Sequence, residues 1–350
     1  MPAPRIAVVG TGWWSANHHV PSLAAAPDVE LVALCDPDVE RAREVAAQHG
    51  GVPVVADLDA LLELRPDGVV IATPHTTHHD LAAAALDAGV GVLLEKPMAT
   101  TAADAFDLLA RARRSGAVLS IGYTDQFVEV AARVRRAVQE DIGGLVQVTG
   151  EFTSATLSLF AAADAGDEGG DAADTHPQTY GADAGGGQAH TQLTHLLGMI
   201  CWVTDREIRD VAAFTDHRGR GVDVDDAAAL RFAGGGTGVV TSSGMAGTAD
   251  RERRWVRYVG THGVVEQDLT AGSATVRLAD GARVDLRTPA DEDPPRTWLP
   301  ARRLAALVAG ADVLDPAPGW VGAAAAAAVE AVLRSADERA VVAVPQLPAR

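Results

Sequence analysis

The chain has 350 residues and is 47% hydrophobic, enough apolar side chain to bury more than one core. Acidic residues outnumber basic ones 47 to 29, and the formal charge of −18 repels phosphate backbones and anionic headgroups, which excludes nucleic acid and membrane surfaces as default partners. No apolar run approaches the ~20 residues of a membrane span, and no signal-peptide pattern precedes the first strand, so a cytoplasmic location is expected.

From Arg5 to about Tyr123, short β-branched runs alternate with amphipathic stretches rich in Ala and Leu, the rhythm of a parallel sheet wound on both faces. Strands are predicted over residues 5–9, 31–35, 52–55, 68–72, 91–94 and 118–121, with helices such as 39–48 and 77–88 between them. After a further helix over 128–140 the pattern changes. Strands are predicted over 145–152, 208–214, 228–232, 237–241, 255–259, 264–268, 275–278 and 283–286, joined by turn signals such as Gly234-Gly235-Gly236 and Asp280-Gly281. The expected fold class is therefore α/β: a doubly wound parallel sheet in residues 1–123, followed over 124–350 by an α+β domain with a largely antiparallel sheet. Residues 161–187, rich in Ala, Asp and Gly, read as a solvated loop or as a lid. An alanine-rich helix over 321–335 is expected to pack back toward the N-terminal domain. Cys35 and Cys201, the only cysteines, are too few for a disulfide framework or a zinc cage and are expected as buried thiols.

The first strand ends in Gly10-Thr11-Gly12-Trp13-Trp14-Ser15. In a dinucleotide fingerprint the first glycine permits the turn, the second lets the backbone approach a pyrophosphate, and the third position must be small, as Ser15 is. The second strand ends at Asp36, 26 residues beyond Gly10. A carboxylate there accepts from ribose hydroxyls and repels a 2′-phosphate, which points to NAD and disfavours NADP, although Arg41 and Arg43 lie nearby on the next helix. Trp13 and Trp14 either flank the nicotinamide or pack at the start of the helix.

Of the 29 basic residues, 28 are arginine and one is Lys96. It stands in Glu95-Lys96-Pro97, directly after the fifth strand, at the carboxyl edge where open α/β sheets place ligands. Hydride transfer from an alcohol needs a group that takes the hydroxyl proton. A buried amine can do this and a guanidinium cannot. In the second half, Gln188, Thr191 and His195 fall on one face of an otherwise apolar helix with Gln192 alongside, a polar face suited to a substrate pocket. The adjacent pairs His18–His19 and His78–His79 point different ways on their helices and lack an acidic cluster, so no metal site is expected.

Gly10-Thr11-Gly12, the turn Thr73-Pro74-His75-Thr76-Thr77-His78, Glu95-Lys96-Pro97, and Gly185-Gly186-Gly187 followed by His195 together resemble the Gfo/Idh/MocA oxidoreductases. The resemblance implies an N-terminal Rossmann domain, a C-terminal domain whose open sheet mediates homo-oligomers, and a lysine and a histidine facing the nicotinamide. Thr73, Pro74, His78 and Glu95 join the expected cofactor-binding set on that basis, and Tyr123 joins the substrate-binding set. Two positions depart from the pattern: many members carry aspartate where this chain has Thr191, and arginine where it has Gln126. Thr191 cannot take a proton, so the acid/base task falls to Lys96 with His195. The implied activity is NAD(H)-dependent oxidation or reduction of a sugar, glycoside or cyclitol. The resemblance also covers two other outcomes, an NAD-dependent glycosidase and a dinucleotide-sensing regulator.

Overall fold

The structure, a computed structural model, describes residues 2–165, 177–247, 252–288 and 294–348. Strands β1 (Arg5–Val9), β2 (Glu30–Cys35), β3 (Val54–Val55), β4 (Gly68–Ile71), β5 (Gly91–Leu94) and β6 (Leu119–Ile121) form an all-parallel sheet in the order β3-β2-β1-β4-β5-β6. The order reverses between β1 and β4, which opens a crevice at their carboxyl ends. β4 and β5 are buried at every position because helices cover both faces, so their sequences read as apolar runs without alternation. Asp57 and Thr101 start two of those helices by accepting the N–H of Ala60 and Asp104, and Gly116, in the left-handed region, ends the second.

One face of this sheet is completed by a helix far along the chain. Leu299–Val308 packs Ala301, Leu304 and Ala305 against Ile6, Val8 and Val70. It is absent from the sequence-based elements above, although Leu304 and the small residues around it form an apolar stripe at helical spacing.

The second sheet contains β7 (Leu145–Thr153), β8 (Ile208–Asp216), β9 (Asp225–Phe232), β10 (Thr237–Ser243), β11 (Arg254–Gly260), β12 (Gly263–Asp268), β13 (Ser273–Leu278), β14 (Arg283–Arg287) and β15 (Val342–Ala343). Their order is β14-β13-β12-β11-β7-β10-β9-β8-β15, and every pair is antiparallel except β7 with β10. Along β9 and β10 buried and exposed residues alternate, so one face meets the core and the other is open. The fold is thus α/β, a Rossmann-type parallel sheet joined to a largely antiparallel one.

The helix Gly319–Glu338 ties the two layers together. Gly319 and Gly322 lie against Leu119, Ile121 and Met98, Glu330 accepts the Ala102 N–H at 2.8 Å, and Ser335 Oγ accepts the Ala213 N–H at 2.9 Å. Its run of buried alanines allows this close approach on several sides. The start of the 161–187 segment is helix rather than loop. Leu157–Ala165 runs into it, anchored by Phe160, which is buried with Val222 and Val224 beside Tyr180. Residues 166–176 of the expected lid lie outside the described residues. Cys35 and Cys201 are both buried, and neither is in a disulfide.

Candidate active site

At the carboxyl end of β1, Gly10 has φ +90, and a Cβ there would stand 2.3 Å from Ala72 O, so the turn requires glycine. Gly12 faces open space. Among the described residues the N–H groups of Gly12 and Trp13 have no acceptor in the chain, at the head of the helical segment that follows. Free N–H groups beside open space suit a pyrophosphate.

Thr11 is turned toward the end of the second strand. Its N–H and hydroxyl both donate to Asp36 Oδ2, at 2.8 and 2.9 Å. Asp36 Oδ1 accepts from Asp38 N at 2.9 Å and Arg41 Nη2 at 2.8 Å. Burial pushes the Asp36 pKa up, but the donors on Thr11, Arg41 and Asp38 outweigh it and hold the carboxyl below its usual range. Four donors fill a carboxylate, so the expected ribose contact requires one to leave. Arg41 is the partner on an exposed side chain.

His78 is not exposed to a nicotinamide. It is fully buried, with Nδ1 2.8 Å from Pro97 O and Nε2 2.9 Å from Thr73 O, and so pins the turn after β4 to the loop after β5. Thr73 accepts the Thr77 hydroxyl at 2.7 Å, and Pro74 leads into the short turn His75–Thr77. Glu95 is also occupied by the protein. Its Oε1 accepts from Trp14 Nε1 at 3.0 Å and lies 2.8 Å from His19 Nε2, while Oε2 accepts from the Lys96 N–H at 3.2 Å. Burial raises the Glu95 pKa, but His19 and Lys96 pull it below its usual range, so it stays anionic. Trp14 is thereby fixed with its ring 4.2 Å from His18, whereas Trp13 is exposed.

Lys96 reaches away from Glu95. Its Nζ donates to the backbone O of Thr191 at 3.0 Å. Burial lowers the amine pKa, opposed by the charge of Glu95. Two further contacts tie the same segment to the first sheet: His75 Nδ1 lies 3.4 Å from Gly185 O, and His190 Nε2 lies 3.3 Å from Thr100 O. Asp223 holds the other side, accepting the Ala189 N–H at 2.6 Å. Gly187, at φ +96, leaves room for that carboxylate, which a Cβ would meet at 2.1 Å.

Of the expected polar face, Gln188 and Thr191 are hydrogen-bonded within the protein. Gln188 is fully buried, accepting from Thr156 Oγ1 at 2.7 Å and donating to Ser242 Oγ at 2.9 Å and Ser154 Oγ at 3.2 Å. The Thr191 hydroxyl donates to Gly187 O at 2.7 Å. The reason is the wider π turn over Ala189–Leu193, which shifts the face predicted from regular helical spacing. Gln192 and His195 are half-buried, and among the described residues neither side chain has a hydrogen-bond partner. The His195 ring stacks on Phe152 at 5.7 Å and meets the edge of Tyr123 at 5.6 Å. Burial, then Lys96 and Arg254, push its pKa well below the usual value, so the imidazole is neutral. Tyr123, expected to bind substrate, instead lies behind His195 with its hydroxyl 2.9 Å from Thr194 Oγ1.

Sequence reasoning missed Phe152, Asp125, Arg254 and Arg296. Asp125 follows β6 at the same carboxyl edge as Lys96, a positional signal that could have found it. Arg254 has no local signal; the register of β11 beside β7 brings it next to Phe152. The neighbouring Gln126 is buried with both amide atoms unpartnered among the described residues. Among the described residues, no group of three or more His, Cys, Asp or Glu is placed to hold a metal, and no helix is long and apolar enough to cross a membrane.

Residues 4–123 match the family model described as oxidoreductase family, NAD-binding Rossmann fold, and residues 131–266 match the GFO/IDH/MocA C-terminal domain. The chain is 32% identical over 245 residues to dTDP-3,4-didehydro-2,6-dideoxy-alpha-D-glucose 3-reductase of Streptomyces violaceoruber, which covers 69% of this chain and 67% of that protein. The chain belongs to the Gfo/Idh/MocA oxidoreductase family. This family member is also 32% identical over 146 residues to D-glucoside 3-dehydrogenase of Escherichia coli (strain K12), and 37% identical over 137 residues to Inositol 2-dehydrogenase 1 of Saccharopolyspora erythraea. Those two matches cover 41% and 38% of this chain, and only 42% and 41% of the relatives' own length. In fold, it is similar to an oxidoreductase domain protein from Kribbella flavida, with a TM-score of 0.81 at 21% identity, covering 99% of this chain and 100% of that one. A levoglucosan dehydrogenase solved with NADH and levoglucosan gives a TM-score of 0.80 at 19% identity, over 98% of this chain and 100% of that one.

Proposed function

We propose that this Gfo/Idh/MocA member is an NAD(H)-dependent enzyme that oxidises a secondary alcohol, or reduces the matching ketone, on a sugar, glycoside or cyclitol. The observation that carries the proposal is Lys96, a half-buried residue at the carboxyl edge of β5 whose amine is aimed by the Thr191 carbonyl toward the segment that bears His195. In oxidation the Lys96 amine takes the hydroxyl proton, and in reduction the ammonium returns it. Neutral His195, with both ring nitrogens free, hydrogen-bonds the same oxygen and fixes its orientation. Gln192 binds a neighbouring hydroxyl. Bound nicotinamide supplies the hydride acceptor or donor.

Residues 1–123 hold the cofactor and 124–350 the substrate, with NAD preferred because the negative charge of Asp36 opposes a 2′-phosphate. The open face of the second sheet, where Phe214 is 80% exposed beside Ala227 and Val239 is exposed two strands away, serves as the contact of a homo-oligomer in a cytoplasmic enzyme. Incubation with NAD and a panel of sugars and cyclitols, followed by nicotinamide absorbance, tests the activity. Accumulation of NADH with one of them is expected. Release of an aglycone without net NADH would overturn it in favour of oxidation-assisted elimination.

A further inference from the structure

The wall beyond His195 carries a charge that the chemistry above does not use. The guanidinium of Arg254 lies 5.6 Å from the centroid of the Phe152 ring, the same ring on which His195 stacks. The field of Arg254 is felt at that imidazole. Asp125 does not neutralise it. Asp125 Oδ2 accepts from Arg254 Nη1 at 3.1 Å while Oδ1 accepts from Arg296 Nη1 at 3.3 Å. One anion is thus shared by two cations, and a unit of positive charge remains in a chain whose formal charge is −18.

The donors left over have a defined shape. Nη1 is spent on Asp125, whereas Nε is buried and has no acceptor among the described residues. Nη2 has no hydrogen-bond partner there either. The N–H groups of Nε and Nη2 are parallel and form one edge of the guanidinium, the edge that receives both oxygens of a planar carboxylate. Stacking on Phe152 and the bond to Asp125 hold that edge in place before any ligand arrives.

We infer that Arg254 is a specificity-determining residue that binds a carboxylate on the substrate, so the substrate class is an acidic sugar or cyclitol, of which a uronate is the simplest form. The inference rests on the polyol reading of the site, and binding rather than turnover tests it.

NADH-loaded protein is titrated calorimetrically with D-glucuronate, D-glucose and D-glucose 6-phosphate, for the parent, Arg254→Gln and Arg254→Lys. NADH affinity and Tm of each variant establish that it is folded. The parent is expected to bind glucuronate roughly 10- to 100-fold more tightly than glucose, the range for a charge-assisted hydrogen-bonded pair. Arg254→Gln brings the ratio close to one, and Arg254→Lys, which keeps the charge but not the fork, restores part of it. Equal binding of the two sugars by the parent, a preference that survives Arg254→Gln, or no binding of any of the three to folded NADH-loaded protein overturns the inference. Tighter binding of the 6-phosphate overturns the carboxylate assignment. A uronate that binds in this way yet yields no NADH from NAD refutes the hydride-transfer proposal and leaves the role of Arg254 standing.

Discussion

Lys96→Arg separates positive charge from proton transfer at the position on which the proposed chemistry depends. The Lys96 ammonium donates to one acceptor, Thr191 O at 3.0 Å. A charged hydrogen bond of this kind contributes about 1.5–3 kcal/mol to holding the two segments together. A positioned acid/base group contributes roughly 10²- to 10⁴-fold in turnover, about 2.7–5.4 kcal/mol of barrier. Arginine can still donate to Thr191 O, so it keeps most of the first contribution, but its guanidinium stays protonated and loses the second. Lys96→Met loses both. The two variants should therefore fall together in kcat and separate in Tm, with the arginine variant near the parent and the methionine variant a few degrees lower. Because burial lowers the Lys96 pKa, the neutral amine forms at a lower pH than in a free lysine, so the parent's alcohol oxidation should rise with pH and level off below pH 10.5. The variants should lack that limb. Steady-state kinetics across pH, with NADH binding as the control for folding, provides the measurement. Near-parental turnover by Lys96→Arg would refute the proton-transfer role.

Three further outcomes follow from the same geometry. His195→Ala should lower turnover by roughly 10²-fold with NADH affinity nearly unchanged, and the parent should show no histidine limb near pH 6.5, since its imidazole is already neutral there; full activity in the variant would remove His195 from the chemistry. The parent should bind NADH more tightly than NADPH, and Asp36→Ser, which removes the charge and releases Arg41, should move the affinity ratio toward NADPH by about tenfold, ~1.4 kcal/mol, in a fluorescence titration. An unchanged ratio would show that Asp36 does not face the 2′ position. Asp226 is buried beside Asp223, has no donor to either oxygen among the described residues, and is pushed up to about 9 by burial and by Asp223. The folded chain therefore keeps a proton that an unfolded aspartate releases near 3.8, and stability falls as pH rises between those values. Asp226→Asn should gain in Tm over the parent progressively from pH 5 to 9, by no more than ~1.4 kcal/mol per pH unit; a gain independent of pH would contradict a proton shared with Asp223.

The sequence carried the fold further than it carried the site. Periodicity located every strand except the two-residue β15 (Val342–Ala343), because β-branched runs buried on two faces and alternating runs buried on one leave different imprints, as β4 and β9 show. It missed Leu299–Val308, whose apolar stripe is short and built mostly from small residues, and local pattern does not report that the helix returns to Ile6, Val8 and Val70 of the first sheet. Gly10 and Lys96 were legible because each chemistry tolerates few residue types. Thr11 was read as a ligand contact from the glycine fingerprint, Gln188 from helical spacing, and His78, Glu95 and Tyr123 from the resemblance. Each is hydrogen-bonded to a neighbour in the folded chain, and whether a polar group is free depends on partners that only the folded chain brings together.

Thr191 shows why position within the site mattered more than side-chain identity. The resemblance placed an aspartate there, and a threonine looked like the loss of a proton acceptor. In the structure Lys96 does not address the side chain at all; it donates to the backbone carbonyl, a group that every residue type supplies. What the threonine adds is the bond from its hydroxyl back to Gly187 O, which tightens the π turn that presents that carbonyl. Asp223 fastens the start of the same turn, and His190 fastens it to the loop after β5. With threonine in place of the family's aspartate, Lys96 pairs with a fixed backbone dipole rather than a titratable side chain, and under the proposed chemistry Lys96 is the group of that pair that changes its charge.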